Sequence, residues 1–314
     1  MNKPTMTRRT MTDYPPVEFR EGTNRFGPRG PGERIMQRIH AVAAVAQTVP
    51  YRVSFRFAFY RLWEARDVYF NSRQDKEHAC ASLHQDWSKA VHGGWYPPDT
   101  FADESRQVEL RQPSGAKSTA EWLDDYRSSD FESMIQEPCS LDRRSNQAHQ
   151  VILCFEANAM VQQFQHYAGS RSLDFFPFGG QLSNPIKYDL AKRVEFLVRE
   201  YPDSQVTVLY AGDFDTAGVQ IPETAFWDVD KWCSKPFDVY RIGVNKDHGV
   251  SQWEALTDDR AGEIITTALN QFIDLSKYEE LDEQETDINQ QVAAIISEHT
   301  DFQPLMEALE ELAE

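Results

Sequence analysis

The sequence predicts an α/β protein in two parts: a mainly helical N-terminal domain, then a Rossmann-like domain built on a mainly parallel sheet. Three observations carry that prediction. From residue 149 onward, short apolar runs of strand type (VILCF at 151–155, LDFF at 173–176, VTVLYA at 206–211, FDVYRI at 237–242) alternate with stretches of helical periodicity, the pattern of strand-helix-strand units. Residues 33–91 instead carry apolar side chains at helical spacing, interrupted at Pro50. Between the two lie breaks at Gln112-Pro113-Ser114-Gly115 and Pro138 to Asn146, around one short helix from Ser118 to Tyr126. The expected organisation is a flexible arm over 1–32, a helical domain over 33–110, a linker over 111–148, the sheet domain over 149–278 and an acidic amphipathic helical segment over 279–314.

The arm contains Pro15, Pro16, Pro28 and Pro31 with little periodicity, and is read as extended, its arginines available to phosphate. Helix one follows from Glu33, with Ile35, Ile39, Val42, Ala43 and Ala46 on one face. Helix two begins after Ser54, which can cap it, and places Phe55, Phe59 and Leu62 together, with Arg56, Tyr60 and Arg61 turned elsewhere. Helix three spans about Lys76 to Val91, and WYPPDTFADESRQVE then offers short extended pieces for a wing. Three helices and a wing make a winged helix-turn-helix, which docks a helix in the major groove; the plainer reading is a helical packing domain with no DNA role.

In the sheet domain, Glu156 ends the first strand and a helix follows over 157–168. The second strand ends at Phe178-Gly179-Gly180, whose glycines admit a close phosphate or make a tight turn. Helix Pro185 to Glu200 carries Lys187 on what reads as its solvated face. The third strand runs into VTVLYAGDFDTAG, a helix near Pro222 to Cys233 precedes the fourth strand, and Asn245-Lys246-Asp247-His248-Gly249 is a polar loop on the side where the acids gather. A helix from Glu254 to about Leu275 closes the domain. The last segment keeps Ile288, Val292, Ile295, Ile296, Leu305 and Leu309 at helical spacing, a packed or partner-binding helix with solvated acids.

The chemistry centres on Asp213 and Asp215. In extended backbone, side chains two apart project the same way, so both carboxylates are expected at one spot beyond the strand's C-terminal end, where open α/β sheets place ligands. Oxygen donors so arranged suit a hard cation such as Mg2+, and Glu156 can reach the same ion from the neighbouring strand. An Asp-Gly turn with solvated acids is the plainer alternative. Lys246 and His248 are candidate phosphate or leaving-group contacts.

The combination of strand-Glu-helix with a later strand-Gly-Asp-x-Asp-x-x-Gly resembles the TOPRIM domain, as carried by the A subunit of topoisomerase VI, the meiotic double-strand-break protein and the nuclease subunits of Wadjet systems. The resemblance covers roughly residues 35–275 and implies that Glu156, Asp213 and Asp215 bind Mg2+, with Mn2+ able to substitute. It also implies a winged helix carrying a DNA-cleaving tyrosine: in Arg56-Phe57-Ala58-Phe59-Tyr60, Tyr60 falls on the nucleophile and Arg56 on the motif's arginine, while Phe57 stands where the motif has Asp. Family members are homodimers in which one subunit's tyrosine meets the other's metal, acting on double-stranded DNA. No G-x-x-x-x-G-K-[ST] occurs here, so an ATPase or SMC-like partner subunit would be a separate chain. The expected function is metal-dependent DNA cleavage, by Tyr60 covalently or by water. The alternative, favoured by Phe57 and by acidity, is a non-catalytic DNA-binding or scaffolding subunit of a larger complex. A primase-like nucleotidyl transferase finds no zinc motif in support.

The net charge of −18 argues against a nucleic-acid partner until its distribution is read. Residues 1–66 hold twelve Lys or Arg against five Asp or Glu, whereas residues 279–314 hold twelve acids and no Lys or Arg, which leaves −6 for the rest of the chain. No apolar run approaches a membrane span and the N-terminus lacks the apolar core of a secretory signal. A cytoplasmic protein without a membrane partner is therefore expected. Cys80, Cys139, Cys154 and Cys233 show no C-x-x-C spacing and read as reduced thiols, outside any zinc site or disulfide.

Overall fold

The structure, a computed structural model, describes residues 17–22, 25–49, 52–64, 75–103, 108–127, 138–157, 160–169 and 171–298. The first part of the arm, positions 104–107 of the expected wing, the middle of the linker and the end of the acidic segment with Leu305 and Leu309 lie outside these residues.

Four parallel strands form the sheet: β1 (His149–Phe155), β2 (Asp174–Pro177), β3 (Gln205–Ala211) and β4 (Asp238–Gly243), in the order β2-β1-β3-β4. Both faces are apolar, as strands covered on two sides must be. On one face Val151, Leu153, Phe155, Leu209 and Ile242 pack against α5 (Val161–Ala168) and α8 (Asp258–Phe272). On the other, Ile152, Cys154, Val206, Val208 and Tyr210 pack against α6 (Asn184–Glu200) and α7 (Thr216–Trp232). The chain thus forms an α/β protein with a three-layer arrangement around its parallel sheet. Since β1 connects outward through a helix on one face and β3 outward through a helix on the other, the strand order reverses between β1 and β3, the place where a ligand crevice opens in such sheets.

The N-terminal helices α1 (Glu33–Ala46), α2 (Phe55–Glu64) and α3 (Lys76–His92) pack around Ile39, Val42, Phe59, Leu83 and Trp87. Phe101 plugs the bundle, edge-on to Phe55 at 5.3 Å and to Trp87 at 4.8 Å between ring centroids. Among the described residues the stretch after α3 makes no paired wing. Ala102 forms one parallel bridge with Ser54, and Glu109 one antiparallel bridge with Phe175 of β2.

Both edges of the sheet are contacted. Glu109 and Phe175 exchange hydrogen bonds of 3.0 and 2.9 Å at the β2 edge, and Val17 N–H donates to Val239 O at 3.0 Å on the β4 edge. An open edge is a template for unwanted pairing, and each edge is met at one position by a residue from outside the sheet domain. Thus residues 17–22, expected in a flexible arm, lie against the sheet domain, with Phe19 stacked on Phe226 and Phe237. The linker is also more built than expected: α4 (Thr119–Arg127) and residues 139–141 form a small core with α9 (Ser276–Glu298) through Leu123, Tyr126, Leu141, Leu281, Ile288 and Val292. Some acids of α9 are structural here. Glu285 accepts from Leu141 N–H at 2.6 Å and from Arg143 at 2.8 Å.

Two buried charge clusters hold these parts. Asp174, fully buried at the start of β2, accepts from Arg193 of α6 (Nε at 2.7 Å, Nη2 at 3.0 Å), from Arg144 at 3.3 Å and from Arg111 N–H at 2.7 Å. Asp228 of α7 meets Lys187 at 2.7 Å and His92 Nδ1 at 3.0 Å, joining α3 to the sheet domain. Lys187, expected on a solvated face, is therefore buried and paired. The reason is long-range: its partner lies on the next helix of the same layer.

Removing one member of a buried charge cluster strands the others, at a cost of about 3–5 kcal/mol. Asp174→Ala should lower unfolding free energy by that amount in urea titrations, by leaving two buried guanidinium groups unpaired. Burial pushes the Asp228 carboxyl up, but His92 and Lys187 outweigh it and hold it below the ordinary carboxylate value. Its contribution to stability is then full above about pH 4, the unfolded value, and is lost as pH falls through the lower folded value. Asp228→Asn should be less stable than the parent at pH 7, with the gap closing below about pH 4 in melts followed against pH.

Candidate functional site

Glu156 and the Asp213 loop meet at the C-terminal ends of β1 and β3, where the strand order reverses. The two strands run in register to Phe155 and Ala211, so the residues that follow emerge side by side. Glu156 N–H donates to Ala211 O at 2.9 Å, and Glu156 Oε2 accepts from Asp213 N–H at 2.9 Å. One carboxylate from the first strand thus braces the loop that carries the other two.

The alternation argument for Asp213 and Asp215 fails locally. Strand pairing ends at Ala211, and Phe214-Asp215 is a bend, so the period of two no longer applies. Asp213 Oδ1 accepts from Trp253 N–H at 2.8 Å, while Asp215 caps α7 by accepting from Gly218 N–H at 2.7 Å. The cap also explains why α7 starts at Thr216 rather than near Pro222: an Asp at the N-cap satisfies an orphan donor of the first turn, and Pro222 is carried inside the helix.

A buried arginine holds the loop from below. Arg241, in β4, donates from its guanidinium to Gly212 O at 2.8 Å, to Gly218 O at 2.9 Å, to Val244 O at 3.1 Å and to Asp213 O. The Gly218 bond has a specific cause. Proline lacks an N–H, so Pro222 leaves the carbonyl four residues earlier without its helical partner, and Arg241 supplies one.

Two glycines make room for this convergence. A Cβ on Gly218 would lie 2.2 Å from Asp213 O and 2.9 Å from Glu156 Oε2, and one on Gly212 would lie 2.6 Å from the Tyr210 hydroxyl and 2.7 Å from Glu156 Oε2. Tyr210 is fully buried, and its hydroxyl has no hydrogen-bond partner among the described residues.

Partial burial pushes the Glu156 carboxyl above its ordinary value; the charges of Asp213 and Asp215 add to that, while the Asp213 N–H and Arg241 oppose it. Each of the three carboxylates has one oxygen bonded to a backbone N–H and keeps the other without a hydrogen-bond partner among the described residues. Hard anionic donors that repel one another suit a divalent cation. In donor chemistry the residues fit Mg2+ or Mn2+. Their present positions do not gather them, since no three His, Cys, Asp or Glu side chains among the described residues are grouped to hold one ion.

The other candidates fall elsewhere. Tyr60 donates its hydroxyl to Glu77 at the start of α3, and Arg56 pairs with Glu77 at 3.4 Å. The bond to Glu77 raises the Tyr60 phenol above its ordinary value. Lys76 Nζ lies 4.2 Å from the centre of the Tyr60 ring. None of these neighbours belongs to the acid cluster. Phe57 is exposed on the same helix, against Arg61. Of the other tyrosines, Tyr51 and Tyr69 lie outside the described residues, and Tyr96 bonds to His40. His248 Nδ1 accepts from Asn245 N–H at 3.1 Å as part of a capping box, and burial together with Arg260 holds its imidazole below the ordinary value. Gly179 and Gly180 both have positive φ, as a tight turn of glycines allows.

Sequence reasoning missed Arg241, Trp253 and Tyr210. Only Arg241 left a signal, as the one basic residue inside the strand run FDVYRI. Arg241→Met should orphan at least three carbonyls, at about 1–3 kcal/mol each where burial persists. The expected result is a loss of several kcal/mol in urea unfolding, with proteolysis appearing first within 212–218.

Comparison of the chain with protein-family models, with curated proteins and with solved structures finds no match.

Proposed function

We propose that the chain is a metal-dependent DNA-cleaving protein of the TOPRIM and winged-helix type, acting at Glu156, Asp213 and Asp215. The observation that carries the proposal is the bond from Asp213 N–H to Glu156, which joins acids from two adjacent parallel strands at the point where the sheet's strand order reverses. Mg2+ or Mn2+, when bound, supplies charge neutralisation at the phosphate and at the departing oxygen. Glu156, Asp213 and Asp215 would hold it, and Arg241 fixes the backbone that carries two of them.

In the covalent route Tyr60 Oη attacks phosphorus, and Glu77, already its hydrogen-bond acceptor, takes the phenol proton. A phosphotyrosyl ester forms, the bond from phosphorus to the leaving deoxyribose oxygen breaks, and that oxygen takes a proton from solvent. A nucleophile bonded to a base is the arrangement such a step needs. Within one chain Tyr60 has other neighbours than the acids, which agrees with a homodimer in which the tyrosine of one subunit serves the acids of its partner. In the hydrolytic route water attacks instead and Tyr60 is structural. The second reading, a non-catalytic DNA-binding or scaffolding subunit, is favoured by the ungrouped acids and by Phe57 at the place of the motif's aspartate.

Supercoiled plasmid incubated with the full chain and Mg2+ or Mn2+, then quenched in SDS, separates these routes. Nicked or linear DNA that enters a gel only after protease treatment is expected if Tyr60 is the nucleophile, and Tyr60→Phe should then remove it. Protease-independent products point to hydrolysis. Asp213→Asn, which keeps an acceptor for Trp253 N–H, should lose cleavage by either route at least a hundredfold, on the scale of losing one electrostatic catalytic contact. Cleavage unchanged in that variant, or surviving EDTA, sinks the proposal.

A further inference from the structure

The acid cluster is accompanied by a buried polar group that the resting fold leaves unused. Tyr210 is the next-to-last residue of β3, fully buried between Phe178, Phe226 and the Arg241 guanidinium. Its ring is therefore fixed. Its hydroxyl is sealed from solvent without a hydrogen-bond partner among the described residues, a condition that costs folding free energy and marks a group awaiting a partner. The hydroxyl points toward the crevice: it and Glu156 Oε2 lie 2.6 and 2.7 Å from the same point, where a Cβ on Gly212 would be. Any side chain at Gly212 would clash with both groups, so the glycine is what lets them approach the loop. Glu156 meanwhile spends Oε2 on Asp213 N–H.

We propose that Tyr210 is a positioning residue of this site, whose hydroxyl donates to Glu156 when that carboxylate turns to bind a divalent cation. The inference rests on the reading of Glu156 as a metal-binding carboxylate. In the resting fold Glu156 braces the loop through Asp213 N–H; in the loaded state it needs a replacement donor to stay oriented, and Tyr210 is the fixed donor beside it. Partners of ligating carboxylates act in this way elsewhere, and their loss typically weakens metal affinity about 10- to 100-fold. Apolar packing alone does not explain the residue, since phenylalanine would fill the same space without stranding a hydroxyl.

The test is Tyr210→Phe in the full chain, with two readouts: thermal melting without metal, and Mn2+ affinity by calorimetry, beside the parent and Glu156→Gln. The expected result is a metal-free melting temperature equal to or above the parent's, with Mn2+ binding weakened about tenfold or more and abolished in Glu156→Gln. Equal Mn2+ affinity in parent and Tyr210→Phe overturns the role of Tyr210 and leaves the metal reading intact. A lowered metal-free melting temperature also overturns it, because the hydroxyl then has a partner in the resting fold. A parent that binds no Mn2+ overturns the metal reading itself and the role of Tyr210 with it.

Discussion

The guanidinium of Arg241 is the constraint on which the site depends. A buried cation with no partner is one of the most expensive things a fold can contain. Here that cost is offset by the carbonyls of Gly212, Asp213, Gly218 and Val244, and by the negative charge of Glu156, Asp213 and Asp215 close by. Burial still pulls the guanidinium below its ordinary value, but arginine remains charged under all relevant conditions. The division of labour follows from chemistry. Carbonyl oxygens turn inward to the arginine, while Asp213 and Asp215 each spend only one carboxylate oxygen on a backbone N–H. Pro222 belongs to the same device, since removing one N–H from α7 frees the carbonyl that Arg241 takes.

This explains why the architecture was more legible in the sequence than the site. The four strands lie within one or two residues of the apolar runs that predict them, because strands buried on both faces must be apolar throughout. The placing of Glu156 after β1 and of the aspartates after β3 follows from the same runs. The local geometry does not. Strand alternation puts Asp213 and Asp215 on one side, yet Asp215 is a helix cap and Asp213 answers to Trp253, forty positions away. Lys187 and Asp228, and Asp174 with Arg144 and Arg193, pair across distances for which a single sequence carries no mark. The resemblance that named Glu156, Asp213 and Asp215 rests on local motif spacing, whereas what holds those residues is contributed by β4 and by the loop before α8.

The helical part is tied to the sheet by contacts of two kinds, and both bear on how the parts work together. Val17 and Glu109 hydrogen-bond through their backbones to the sheet's two edges. His92, Lys187 and Asp228 form a specific, buried polar joint, with exposed Lys231 reaching His92 O at 2.8 Å from its rim. A joint so built does not slide in small steps, because each displacement strands a buried charge. The face of α2 with Arg56, Phe57, Tyr60 and Arg61 therefore stands in a fixed relation to the crevice of its own chain. On the proposed covalent route, Tyr60 would therefore reach acids of a second subunit and not those of its own chain.

The acidity of the chain bears on its proposed substrate through location, not through the total. Part of the negative charge is internal to the fold: Asp174 is sealed with its arginines, Glu285 holds Arg143 and the backbone of Leu141, and Glu195 is held down to about 2 by Lys192 and by Ser234. Such carboxylates are locally neutralised, and their fields fade within roughly 8 Å at physiological ionic strength. On α2, Arg56 and Arg61 stand beside exposed Phe57, a basic and aromatic face of the kind that contacts nucleic acid. Contact with phosphates there would be governed by that face, and would weaken with salt according to the number of cations engaged. The remaining acids at the crevice oppose a phosphate on their own. That repulsion is what a divalent cation removes, so acidity at the crevice and affinity for an anionic backbone are compatible only with the metal present.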